Sequence, residues 1–191
     1  MTTIAAVRKD GIAAIAADGQ VSQGGTVVPG TMRAGPSKIH AVANGYVGVS
    51  GSVAHHSVLC SLWYRHPELF NLESTDAVFE TFRAIQPILR DDYFVETSED
   101  DDDQEYESNQ MSGLIISPAG IFSFFSYREI SEYNRFWAAG SGTEYALGAM
   151  DALYEREMDA QSVATLGVTS AAKFDQRSGL PVESFTVRLN D

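Results

Sequence analysis

The most economical chemistry in the sequence sits at Thr2, directly behind Met1. A small second residue favours removal of Met1. The threonine so exposed carries an α-amine with a pKa of about 7.7–8.0 beside its own hydroxyl. That amine can take the hydroxyl proton, so one residue supplies both nucleophile and base. The other chemical motifs are weaker. Gly48-Val49-Ser50-Gly51-Ser52 has the wrong spacing for a G-x-S-x-G elbow. No C-x-x-C, H-x-x-x-H or H-E-x-x-H pattern occurs. His55 and His56, adjacent on a helix, point about 100° apart and read as ordinary helix residues, not as a metal pair. Gly140-Ser141-Gly142 places Tyr145 where a dinucleotide turn needs its third glycine, and by itself reads as a packing turn. Neither a cofactor nor a metal is expected.

The chain has 191 residues, 44% hydrophobic and 20% charged, enough for a single domain spanning 1–191 with a substantial core. Its one cysteine, Cys60, cannot form an internal disulfide, which agrees with a reducing, cytoplasmic setting. No apolar run reaches the roughly 18 residues of a membrane helix, and the opening residues lack the basic-then-apolar order of a signal peptide. The net charge of −13 is concentrated. Ten acids lie between Asp91 and Glu107 with no Lys or Arg among them, and without them the charge is only −3. No cluster of Lys or Arg offers a phosphate-binding surface, so neither nucleic acid nor membrane is an expected partner. The stretch 91–107 is expected to be a flexible, solvated insertion, because like charges at this density oppose compaction. A calcium loop would need a glycine at its sixth position and spaced aspartates, which are missing.

Elements to position Thr2 are legible along the rest of the sequence. Thr2 to Val7 and Ile12 to Ala17 read as a hairpin around Asp10-Gly11, and Lys38 to Val42 with Tyr46 to Ser50 as a second around Asn44-Gly45. Between them Gly24, Gly25, Pro29, Gly30, Gly35 and Pro36 mark a loop-rich stretch. Val53, Leu59, Leu62 and Trp63 recur at helical spacing up to Pro67. Thr75 to Leu89 places Val78, Phe79, Phe82, Ile85 and Leu89 on one helical face. Strands follow at Met111 to Ser117, Ile121 to Tyr127 and Arg135 to Ala139. Helices are predicted at Glu144 to Arg156 and Ala160 to Phe174, and a last strand at Val182 to Leu189. Hairpin-built sheets with helices added in two blocks imply an α+β sandwich, helices outside and sheets packed face to face.

Five short elements occur in one order along the chain: Thr2-Thr3-Ile4, Ala16-Ala17-Asp18-Gly19-Gln20 with Lys38 after the next loop, Ser50-Gly51-Ser52 at a helix start, Gly140-Ser141-Gly142, and Asp175-Gln176-Arg177-Ser178-Gly179. This ordered set resembles the HslV and proteasome β-subunit family of N-terminal threonine hydrolases, most closely its bacterial HslV-like branch. The resemblance implies a four-layer αββα sandwich, in agreement with the element order. It also implies a threonine endopeptidase. Thr2 matches the nucleophile, Asp18 the carboxylate beside it, and Lys38 the cation that favours a deprotonated threonine oxygen. Ser141 matches the serine that binds the terminal amine, and Asp175 with Ser178 match the late loop that orients it. Gly51, at a helix start, is the choice for the oxyanion N–H, and Gly48 is the second candidate. Val21, Val49 and Val53 match positions near the side-chain pocket, so cleavage after apolar residues is expected. The loop before Lys38 is longer than in the family, with Gly35-Pro36 inserted.

Family members assemble as closed rings, so the resemblance also implies identical subunits in a double ring of hexamers or heptamers and a peptide or unfolded protein as substrate. An ATPase unfoldase ring of the HslU type is a possible partner. Two other functions fit the same fold: a ring that is a scaffold or a sluggish hydrolase, and an amidase acting on a small molecule.

Overall fold

Residues 2–23, 25–34, 37–98 and 104–190 are described by a computed structural model. In chain order the elements are β1 (Thr3–Lys9), β2 (Ile12–Asp18), β3 (Val21–Gln23), β4 (Thr26–Val28), β5 (Ile39–Val42), β6 (Gly45–Ser50), α1 (Val53–Arg65) and α2 (Thr75–Asp91). They continue as β7 (Ser112–Ser117), β8 (Gly120–Phe124), β9 (Ile130–Tyr133), β10 (Phe136–Gly140), α3 (Thr143–Tyr154), α4 (Ala160–Phe174) and β11 (Val182–Arg188).

Strand alternation sorts β1 and β2 onto two cores. Ile4, Ala6, Ala13, Ile15 and Ala17 face a second sheet, where they meet Ile39, Leu114, Ile116 and Ile121. Ala5, Val7, Ala14 and Ala16 face the other way, onto Ala164, Val168 and Ala171 of α4 and Met150 of α3. Small side chains on both faces let the helix and the opposing sheet approach this hairpin closely. The strands order as β10-β1-β2-β11 in one sheet and β5-β6-β7-β8-β9 in the other, all antiparallel, with β3-β4 as a separate ribbon. On the far face of the five-stranded sheet, Leu59 and Leu62 of α1 and Val78, Phe82, Ile85 and Leu89 of α2 pack on Val47, Val49, Ile115 and Phe122. Helix pair, sheet, sheet, helix pair is the expected αββα sandwich.

Three local expectations change. Phe79 stands off the buried stripe of α2 and is 41% exposed, because 78, 82, 85 and 89 already define the face and 79 is rotated about 100° from it. The turn between β5 and β6 is Ala43-Asn44, since Gly45 is already paired with Val42, and Ala43 takes the positive φ of 50°. β9, half exposed at a sheet edge, and the short ribbon β3-β4 lack the apolar alternation that announces a strand.

The acidic stretch is fastened where it is described. Asp91 closes α2, the Ser108 amide donates to Thr97 O at 2.9 Å, and Gln104 and Gln110 side-chain amides reach Thr97 O and Ser98 O. Arg90 Nη1 donates to Glu107 Oε1 at 2.7 Å. Residues 99–103, the densest part of the charge, and the Gly35-Pro36 insertion lie outside the described residues.

Candidate active site

The end of β2 delivers Asp18 to a fully buried position where its carboxylate is saturated. Oδ1 accepts from the Thr3 amide at 2.9 Å and from Lys38 Nζ at 2.7 Å. Oδ2 accepts from the amides of Gln20 at 3.1 Å and Gly179 at 2.9 Å. One carboxylate thereby ties the start of β1, the lysine before β5 and the loop before β11 to a single point. Lys38 is itself buried, its side chain 4% exposed. Burial pushes its pKa below the ordinary lysine range, while the charge and hydrogen bond of Asp18 oppose that shift.

Thr2 lies just ahead of β1 and is 2% exposed. By the alternation of Ile4 and Ala6, it turns toward the second sheet. Its carbonyl accepts from the Ser141 amide at 2.8 Å. Gly140, at φ +98°, makes this contact possible, since a Cβ there would fall 1.9 Å from Thr2 O. Ser141 Oγ and Ser178 Oγ both donate to Asp175 Oδ2 at 2.6 Å, and Ser178 Oγ also bonds Thr3 Oγ1 at 2.6 Å. Partial burial raises the Asp175 pKa, but the two hydroxyls, with the amide and charge of Arg177, outweigh it and hold the carboxyl below its usual range. β10, the end of α4 and the loop after it are thus joined around the first residues of β1.

A cavity of about 380 Å³ opens beside these groups, lined by Thr2, Val21, Lys38, Gly51, Val53 and His56. Gly51, φ +141°, precedes the Ser52 cap of α1 and also borders a larger cavity of about 1040 Å³. That second space is walled by Gly140 and Ser141 on one side and by Glu96 and Ser98 of the acidic stretch on another. Gly48 is ill placed as an oxyanion donor: it sits within the sheet between Ile39 and Leu114, with Ile4 and Ile15 against it. Val49 departs from expectation too. It is fully buried on the helix side of β6, one residue out of phase with the cleft, and does not line the cavity.

Thr2, Asp18, Lys38, Ser141, Asp175 and Ser178 therefore converge, and Gly51, Val21 and Val53 border the same cleft. Sequence reasoning missed His56, which is buried in the cavity wall with its Nδ1 3.0 Å from His40 Nε2, while His40 Nδ1 lies 3.2 Å from Cys60 Sγ. It also missed Thr3 and the Gly179 amide. A four-residue spacing of His56 and Cys60 on α1 was the available signal, but only the fold brings His40 to it. No group of three or more His, Cys, Asp or Glu among the described residues is placed to hold a metal ion. Chemically, the cleft sets a threonine beside a buried ammonium, its counter-charge and a glycine turn at the start of a helix.

No protein-family model matches the chain. Among curated proteins, the ATP-dependent protease subunit HslV of Caulobacter sp. (strain K31) is 30% identical over 194 residues, spanning 96% of this chain and 93% of that protein. Among solved structures, Thiobacillus denitrificans BPH is 38% identical with a TM-score of 0.91, over 98% of each chain. The same protein in complex with epoxomicin is 37% identical with a TM-score of 0.91, over 99% of this chain and 100% of that one. Eukaryotic HslV from Trypanosoma brucei, 19% identical with a TM-score of 0.73 over 97% of this chain and 99% of that one, has the same fold.

Proposed function

As the chain belongs to the HslV family of proteasome-type threonine proteases, we propose that it hydrolyses peptide bonds with Thr2, exposed by removal of Met1. The observation that supports the assignment is the buried Lys38–Asp18 pair, Nζ to Oδ1 2.7 Å, whose lysine borders the cavity that Thr2 also lines. The free α-amine of Thr2 takes the proton as Oγ attacks the scissile carbonyl carbon. Lys38 Nζ stabilises the developing negative charge on Oγ, and the Gly51 amide stabilises the oxyanion of the tetrahedral intermediate. The amine then hands its proton to the leaving nitrogen, leaving an ester on Thr2. Water attacks that ester with the same amine as base, releasing the carboxylic product and restoring the hydroxyl. Asp18 acts by holding Lys38 and the Thr3 amide in place. Ser141, Asp175 and Ser178 fix the position of the terminal amine.

The substrate is an unfolded polypeptide, and the working form is a double ring of identical subunits, six or seven to a ring, that encloses the nucleophiles. An ATPase ring feeding the chamber is the partner implied by the Caulobacter relative, an ATP-dependent protease subunit. A single free thiol and no expected disulfide fit a reducing cytoplasm. No helix among the described residues is long and apolar enough to cross a membrane. The test is a fluorogenic peptide panel on the purified protein with Thr2→Ala as control. Hydrolysis by the parent and its loss in the variant support the assignment, and equal rates refute it.

A further inference from the structure

The cavity beside Thr2 is less apolar than its valines imply, because His56 forms part of its wall. His56 and Cys60 stand one turn apart on α1, and His40 of β5 reaches between them. His40 Nε2 lies 3.0 Å from His56 Nδ1, and His40 Nδ1 lies 3.2 Å from Cys60 Sγ. Each contact needs one donor and one acceptor, so the three groups form a chain with a single direction. Three facts set that direction. A thiol donates through S–H and accepts poorly, and at neutral pH Cys60 keeps its proton, partial burial raising its pKa further. Burial and the nearby Lys38 and Arg33 charges, with the other histidines, push His56 down to about 3, and burial lowers His40 as well, so both rings are neutral. A neutral ring that accepts at one nitrogen must donate at the other.

Cys60 S–H therefore donates to His40 Nδ1, and His40 Nε2–H donates to His56 Nδ1. His56 is left with its proton on Nε2. That nitrogen has no hydrogen bond among the described residues and is accessible to solvent. His56 is 6% exposed and lines the cavity, so the cavity is where this nitrogen can meet a ligand. We propose that His56, oriented through His40 by Cys60, presents a fixed Nε2–H donor in the side-chain pocket beside Thr2 and selects substrates whose P1 side chain carries a carbonyl oxygen on an aliphatic stem, glutamine above its apolar isostere. Val21 and Val53 take the stem and the imidazole takes the oxygen. This rests on Thr2 being the nucleophile of that cleft.

The experiment compares kcat/KM for matched fluorogenic peptides with P1 glutamine and P1 norleucine. The parent protein is expected to favour glutamine by about fivefold, the ratio one neutral hydrogen bond supplies. His56→Phe should erase that preference, lowering kcat/KM for glutamine more than for norleucine, and His56→Gln, which keeps an N–H donor, should restore part of it. Cys60→Ser should keep the preference and Cys60→Ala should reduce it. A parent that favours norleucine, or a His56→Phe enzyme that still favours glutamine, overturns the proposal. Solid-state NMR of 15N-histidine-labelled protein reads the tautomers independently of activity: Nε2–H on both His40 and His56 is expected, and Nδ1–H on His56 overturns the chain. If neither peptide is cleaved and no inhibitor attaches to Thr2, the assignment of the nucleophile fails, while the tautomers still decide the direction of the relay.

Discussion

At the residue scale the site depends on one buried charge pair with unequal support. Asp18 keeps three backbone N–H donors if Lys38 is removed, whereas Lys38 loses its only salt-bridge partner among the described residues if Asp18 is neutralised. Lys38→Met is expected to abolish hydrolysis and to cost about 3 kcal/mol in denaturant unfolding, the low end for breaking a buried pair. Combining it with Asp18→Asn should recover neither stability nor activity, because the asparagine amide nitrogen would face a backbone N–H that the carboxylate accepts from. Asp175 gives a pH signature. Its carboxyl titrates lower in the folded state than in the unfolded one, so its contribution is fully present above the unfolded carboxylate range and is lost as pH falls through the folded value. Asp175→Asn should therefore narrow the difference in urea midpoint between pH 6 and pH 3. Thr2, Asp18 and Lys38 were legible because each type is rare or sharply placed: only three lysines exist, and Asp18 closes an apolar run. His40, His56 and Cys60 were not, since their chain joins a strand to a helix and no spacing in the sequence announces that contact.

At the element scale, phase decides which residues reach the cleft. The pattern Tyr46 to Ser50 marks a strand correctly but leaves its two faces ambiguous, because both are buried. The resemblance implies a pocket position for Val49, whereas the register places it under α1 and α2. Val49→Ala is expected to cost about 2 kcal/mol through a core void while leaving P1 preference unchanged, and Val53→Ala to change P1 preference with little loss of stability. Peptide panels and denaturant midpoints on the two variants separate these outcomes. The helix starts were better marked. Ser52, Ser74 and Asp159 each cap a helix by accepting an amide within it, and Asp159→Ala should lower stability by about 1 kcal/mol without touching catalysis. Edge strand β9 and ribbon β3-β4 escaped notice because short, exposed strands carry no periodic apolar signal.

At the scale of the whole molecule, the order of strand and helix blocks was enough to specify the sandwich, since antiparallel hairpins and two helix pairs leave few ways to bury one face of each sheet. Composition was less informative about the acidic stretch. High like charge argues for a solvated insertion, yet its described parts are hydrogen-bonded to the fold and put Glu96 and Ser98 on the larger cavity. Removing the charge there, as in Glu96→Gln, is expected to change the preference for basic residues in peptide substrates without altering the fold. Light scattering of the purified protein should report a particle of twelve or fourteen subunits, and a stable monomer would contradict the closed ring. The central claim concerns one atom, Thr2 Oγ, and is tested most directly by intact mass and peptide mapping after incubation with a peptide epoxyketone. The predicted result is a chain lacking Met1 and carrying one inhibitor on Thr2. Met1 retained on every chain of a protein that still cleaves peptides, or an adduct on any other residue, would contradict it.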